Sequence, residues 1–167
     1  MNIPANQERP LQELKATGKK IALVLVGGSA LAVNWEEKNL PAIIDAWYPG
    51  EEGGDAVADV LFGDYDPAGR LPVTFYKSAR DLPPFEDYNM VPDSLGQGRT
   101  YRYFTDVPLY PFGFGLSYTK FNYSNLKVSS GPVKANDTIK VTVNVRNVGE
   151  RDGDEVVQLY VKDLMSK

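Results

Sequence analysis

The stretch from Ala46 to Phe75, with the few residues before it, constrains this chain more than any other. Ala42 to Trp47 is a short apolar run broken by Asp45, the pattern of a buried strand. Pro49-Gly50 signals a turn. Glu51 and Glu52 then place negative charge where a helix begins, beside its exposed N–H groups. Ala56, Val57, Val60 and Leu61 recur at helical spacing as one apolar stripe, and Gly63 follows as a C-terminal cap should. Asp66-Pro67-Ala68-Gly69 turns the chain again, and Leu71 to Phe75 reads as the next strand. Strand, helix and strand at this length predict a βαβ unit, a right-handed crossover joining a parallel pair.

The flanking residues extend this reading. A helix is expected over 6–16, with Leu11 and Leu14 on its inner face and Gly18 ending it; Pro10 is tolerated only near the first turn. Ile21 to Val26 is continuously apolar, as in a strand covered on both faces. Gly27-Gly28-Ser29 follows it as a tight turn; with no Gly-x-Gly-x-x-Gly and no Gly-Lys-Ser/Thr, it lacks the pattern of a phosphate loop. Ala30 to Val33 is a second apolar piece, and Trp35 to Asn39 a polar turn. The segment 77–98 carries Pro83-Pro84, Pro92, Gly96 and Gly98 and reads as a long surface loop. Tyr101, Tyr103, Tyr110, Phe112, Phe114, Tyr118 and Phe121 form a dense aromatic segment, suited either to stacking sugars or to joining two domains.

From Phe121 the period changes to two. Ile139, Val141, Val143 and Val145 alternate with Lys140, Thr142, Asn144 and Arg146, as in a half-buried antiparallel strand. Phe121 to Val128 is expected to form the strand before it and Glu155 to Lys162 the one after it. Three strands are too few for a sandwich of about seven. The chain is therefore expected to hold part of a second, all-β domain with an exposed edge.

Composition removes whole classes of chemistry. The 167 residues contain no cysteine and no histidine. That excludes disulfides, thiolate chemistry, Ser-His-Asp and Cys-His catalysis and the commonest metal ligand. Acid–base work would fall to Asp, Glu, Lys or Tyr, and no metal or cofactor is expected. A net charge of −4 with no basic stripe argues against a nucleic-acid partner. No run is long and apolar enough to predict a membrane span, and Met1 to Asn6 lacks the regions of a signal peptide. Asn122-Tyr-Ser124 and Asn136-Asp-Thr138 match the glycosylation pattern.

The opening stretch, written AWYPG-E-GG-A-ADVLFGD-P-GRLPVTF, resembles the C-terminal α/β-sandwich domain of glycoside hydrolase family 3. The runs 99–104 and 108–121 resemble the segment joining that domain to the family's fibronectin-III-like domain, and Ile3 to Gln7 is similar to the family's LP-x-x-Q helix start. The resemblance implies a partial parallel-sheet α/β sandwich, half of a flavodoxin-like arrangement, over 1–76. A loop and aromatic joining segment would follow over 77–120, and a truncated fibronectin-III-like domain over 121–167.

The resemblance also implies a retaining exo-β-glycosidase that uses two carboxyl groups about 5–5.5 Å apart. In the family the nucleophilic Asp lies in a preceding barrel, and the acid/base Glu lies upstream of the residues matched here. Neither maps to a position in this chain, so the isolated chain is expected to be an inactive fragment; the alternative is a non-catalytic structural or carbohydrate-binding module. Its implied partners are a β-linked oligosaccharide bound by the parent enzyme, the barrel, and the remaining sandwich strands, with self-association through the open edge. Leu82 to Tyr88 and Arg99 to Phe104 resemble the β-xylosidase-like branch more than β-glucosidases. The family is often secreted or periplasmic, which leaves the compartment open.

The candidate substrate-binding residues are Trp47, Tyr48, Glu51 and Glu52, at the C-terminal end of a parallel strand, where open α/β sheets bind ligands. Asp55 belongs to the same group. The competing role for the acids is to complement the helix N-terminus, and for the rings it is packing. Arg99 and Arg102 are expected to pair with acidic residues at the domain joint.

Overall fold

The computed structural model describes residues 2–93, 96, 98–129, 131, 133–134 and 136–162. Its contacts divide the chain into two units, Met1–Asp59 with Arg70–Gly115, and Val60–Gly69 with Leu116–Lys167. The fold is mixed α/β, with a small parallel sheet flanked by helices and a two-stranded antiparallel sheet.

In the first unit, α1 spans Ala5–Ala16. The N–H groups of Gln7 and Glu8 donate to the carbonyl of Pro4, and Gly18, at φ 76°, closes the far end. No residue of α1 is buried, and Leu14 is 53% exposed. Of the inner face expected from Leu11 and Leu14, Leu11 is half-buried and Leu14 lies open to solvent. Two i,i+4 contacts, Arg9 to Glu13 and Gln12 to Glu8, both 3.0 Å, support the helix from outside.

Strands β1, Ala22–Leu25, and β2, Ala42–Asp45, run parallel with Ala22 opposite Ala42 and Leu25 opposite Asp45. β1 is shorter and less covered than its apolar run suggested, since Ala22 and Val26 are exposed and β2 is its one partner among the described residues. Ile3, Leu25 and Val33 form the buried core, with Leu23, Leu31, Ile43, Leu109 and Tyr110 packed against it. Ala30 to Val33 thereby finds its purpose, with Val33 only 2% exposed.

Between the strands lies α2, Asn34–Asn39, where a polar turn was expected. Asn34 donates its side-chain amide to the Lys77 carbonyl, and the Glu37 N–H donates to Val33. A helix of six polar and aromatic residues has no apolar period to reveal it; tertiary contacts hold it. After β2, Gly50 turns the chain at φ 76°, and α3 runs Gly53–Phe62. Gly53 is required where it stands, because a Cβ there would lie 2.6 Å from Cγ of Pro49.

Leu71 to Phe75 does not form the expected parallel strand. It lies antiparallel to 109–114: Leu71 N–H donates to Phe114, Gly113 N–H to Leu71, Phe75 N–H to Tyr110, and Leu109 N–H to Phe75. One bridge, Phe75 to Tyr110, is regular enough to count as β structure. Pro72 and Pro111 remove donors from the two sides of this ladder, so it never becomes a continuous strand. The parallel pair of the fold is β1 with β2 instead. The described residues of the loop after Tyr76 include a 3-10 turn, Ala79–Asp81, closed by a capping box from Ser78 to Asp81. The short helix α4, Thr100–Tyr103, follows.

The second unit contains β3, Phe121–Val128, and β4, Val141–Asn147, paired antiparallel with Phe121 opposite Asn147. The register shifts between Ser124 and Lys127, where Asn125 adopts φ 55°. Glu155 to Lys162, expected as a third strand, makes no ladder among the described residues. An alternating sequence becomes a strand only when a neighbour accepts its backbone hydrogen bonds. The residues after α3 also belong to this unit. Gly63, at φ 85°, caps the helix by donating to Val60, as its sequence position predicted. Asp66 accepts from the Ser117 hydroxyl at 3.0 and 2.8 Å and from the Tyr118 N–H at 2.5 Å. Arg151 donates to the Gly63 carbonyl, and Tyr118 donates its hydroxyl to Val60.

Candidate functional site

The C-terminal edge of the parallel pair brings together Trp47, Tyr48 and the Gly27-Gly28 turn. The ladder runs past both strand ends, with Ala46 N–H donating to Leu25 and Gly27 N–H to Trp47. Beyond it the backbone bends sharply. Trp47 sits at φ 50°, a left-handed conformation that an L-residue adopts only when its surroundings hold it there. Asp45 provides part of the hold: its carboxylate accepts the Trp47 N–H at 3.1 Å. Burial lifts the Asp45 carboxyl above its ordinary range, while that hydrogen bond pulls the other way.

Trp47 is half-buried, its ring tilted 54° against Phe75 with centroids 6.1 Å apart. Its indole therefore packs inward. Tyr48 is 77% exposed, and its ring lies so close to Gly28 that a Cβ there would stand 2.5 Å from a ring carbon. Glycine at 28 is what lets this ring lie across the turn. Glu51 and Glu52 are exposed in the turn before α3, and the Glu52 carbonyl accepts the Ala56 N–H. The edge thus offers one open aromatic ring and two solvated carboxylates near a helix start. Such a surface can stack on a sugar face or accept from a sugar hydroxyl, and nothing in its geometry pairs two carboxyls for hydrolysis.

The aromatic segment is divided between the units, with Tyr101 to Phe114 in the first and Tyr118 and Phe121 in the second. Tyr101 stacks on Phe112 with centroids 4.5 Å apart, Tyr110 on Phe114 at 5.0 Å, and Phe75 meets Tyr110 edge-on at 6.3 Å. Burial and then the Glu37 charge raise the Tyr110 phenol above its usual range, keeping it neutral. Arg99 and Arg102 do not take the expected acidic partners: among the described residues neither is joined to a carboxylate. Arg99 donates to the backbone carbonyl of Asp87, and Arg102 lies over the Tyr101 ring, 5.9 Å from its centroid. No group of three or more acidic residues that could hold a metal ion occurs among the described residues. Sequence reasoning missed the Asp45 carboxylate as the support of Trp47; an Asp two residues before a ring in an otherwise apolar run was its one signal.

The glycosyl hydrolase family 3 C-terminal domain matches residues 1–118. The chain belongs to glycoside hydrolase family 3. It is 48% identical over 98% of its length to a xylan 1,4-beta-xylosidase of Xylanibacter ruminicola, of which it covers 18%. It is 40% identical, again over 98% of its length, to a periplasmic beta-glucosidase of Salmonella typhimurium, of which it covers 22%. A solved family 3 beta-glucosidase of Bifidobacterium adolescentis superposes on 91% of the chain with a TM-score of 0.78 at 34% identity; the chain covers 23% of it. The chain thus spans about a fifth of the length of the relatives it matches. It aligns with one part of these family 3 relatives.

Proposed function

We propose that this chain is a portion of a retaining exo-β-glycosidase that releases a single sugar from the non-reducing end of β-linked oligosaccharides. The observation that carries the reading is 48% identity to a xylan 1,4-beta-xylosidase along nearly the whole chain. The same match favours xylose-type over glucose-type substrates. In this reading residues 1–76 are part of an α/β sandwich, 77–120 join it to the next domain, and 121–167 begin a fibronectin-III-like sandwich. Trp47, Tyr48, Glu51 and Glu52 rim a substrate pocket completed by a barrel domain, and both reacting carboxylates come from outside this chain. The chain alone is then inactive.

A second reading is a non-catalytic structural or carbohydrate-binding module. It is favoured by the exposed Tyr48 ring at the sheet edge, which lacks a paired carboxylate site beside it. Hydrolysis of aryl β-xyloside and aryl β-glucoside by the purified chain tests the assignment, with a full-length family member as control. Turnover by the control alone is expected. Turnover by the chain would overturn the assignment of the carboxylates elsewhere, and Glu51, Glu52, Asp55 and Asp64 would be the positions to replace first.

A further inference from the structure

The charge of the chain is unevenly divided. Residues 120–148 carry five basic side chains, Lys120, Lys127, Lys134, Lys140 and Arg146, and a single carboxylate, Asp137. The whole chain has 18 basic and 22 acidic residues, so its acidic excess lies entirely outside this hairpin. All five cations are exposed, and among the described residues none of them forms an ion pair with a carboxylate. Asp137 is engaged by the backbone, accepting the Lys134 N–H at 2.7 Å.

The β3–β4 register sorts these side chains by face, since neighbours along a strand point to opposite sides. Tyr123 opposite Val145 and Val128 opposite Val141 share the apolar face. The other face holds Asn122 opposite Arg146, Ser124 opposite Asn144 and Lys127 opposite Thr142. One step further the Ser129 N–H donates to the Lys140 carbonyl at 2.8 Å, and the Lys140 N–H donates to the Ser129 hydroxyl oxygen at 3.1 Å. That oxygen serves as an acceptor, which leaves the hydroxyl proton to be given elsewhere. Lys127 and Lys140 are thereby diagonal neighbours, roughly 7–8 Å apart across the ladder. Like charges placed so close repel, and this face has no acid to relieve them. Between them lies a shallow depression of about 270 Å³, lined by Lys127, Val128, Ser129, Lys140 and Thr142. Lysine stems make apolar walls while their ammonium ends stay at the water surface.

We propose that this depression binds a compact, doubly charged oxyanion, a phosphate or sulfate group. Such a group accepts from both ammonium ends and from the Ser129 hydroxyl at once, in charge-assisted hydrogen bonds. It cancels the repulsion between the two lysines, whereas a singly charged carboxylate answers only one of them. The positive field of the hairpin draws the anion in, and the absence of a lining carboxylate lets it stay. Phosphate free in solution and phosphate on a lipid headgroup share this chemistry.

The test is titration of the 15N-labelled chain with sodium phosphate, sodium sulfate and sodium chloride at matched ionic strength, followed by amide chemical shifts. Saturable shifts from phosphate or sulfate, centred on residues 127–129 and 140–142, are expected, with none from chloride. Lys127→Gln and Lys140→Gln should each weaken binding about three- to fivefold, the worth of an exposed charge pair, and the double variant should abolish it. Lys127→Arg should retain it. Lys120→Gln removes the same charge from a residue outside the depression and should leave binding unchanged. All four positions are exposed, so an unchanged spectrum without anion verifies the fold of each variant. No saturable shift, an equal response to chloride, or an equal loss on Lys120→Gln overturns the proposal. Vesicles of phosphatidic acid in phosphatidylcholine, against phosphatidylcholine alone, separate the two sources. Cosedimentation that the double variant loses assigns phosphate on a lipid surface; saturable shifts without cosedimentation assign the free anion.

Discussion

Asp45 shows how one side chain can support a strained neighbour at its own expense. Its carboxylate accepts the N–H of left-handed Trp47, yet burial holds its carboxyl above the ordinary value of 3.8. In the window above that value the folded chain keeps a proton the unfolded chain has lost, so stability must fall as pH rises through it and level off once the folded group has ionised. The Asp45→Asn variant retains an acceptor for Trp47 and cannot ionise. Its urea midpoint is therefore expected to lose this downward arm and to exceed that of the parent at neutral pH. A parallel pH profile for the two proteins would mean that burial of Asp45 has no thermodynamic consequence.

At the scale of elements, the β3–β4 hairpin turns on Asn125. It is exposed, stands at φ 55°, and marks the register shift between Ser124 and Lys127. Asparagine tolerates this conformation, but a β-branched side chain meets the next carbonyl. Asn125→Val is expected to destabilise by about 1–2 kcal/mol and Asn125→Gly to be neutral or slightly favourable, as read from denaturation midpoints. Equal midpoints would show that the bulge is not fixed by backbone preference. The elements that sequence made legible were those whose order is local. β1 and β2 announced themselves as apolar runs, α3 by Ala56, Val57, Val60 and Leu61, and its end by Gly63. Leu71 to Phe75 looked like another such strand, but its partner is 109–114, far along the chain, and prolines interrupt both sides. α2 carried no period at all, and Glu155 to Lys162 had the right alternation but no ladder among the described residues. Of the candidate site, the position of Trp47 and Tyr48 at a strand end was legible. The left-handed turn was not, because the sign of φ leaves no mark in the spacing of side chains, and neither was the pairing of 71–75 with 109–114, which joins distant segments.

For the molecule as a whole, the second unit presents apolar side chains to solvent, among them Leu126, 68% exposed, Leu159, 67%, and Val161, 89%. Patches of this kind drive association in water. Size-exclusion chromatography of the isolated chain is expected to show a shift to larger species as concentration rises; a monomer at every concentration would mean that these side chains are not sticky in solution.

The carboxylate of Asp66, bonded to Ser117 and Tyr118, means that the second unit borrows residues 60–69 from the middle of the chain, while the first unit resumes at Arg70. Each unit is thus sewn from both halves. Cutting the loop beside Phe85, which is 88% exposed, divides the covalent chain without dividing either unit. Two half-genes split there should complement one another when expressed side by side, with products that elute together in native buffer and separately in denaturant.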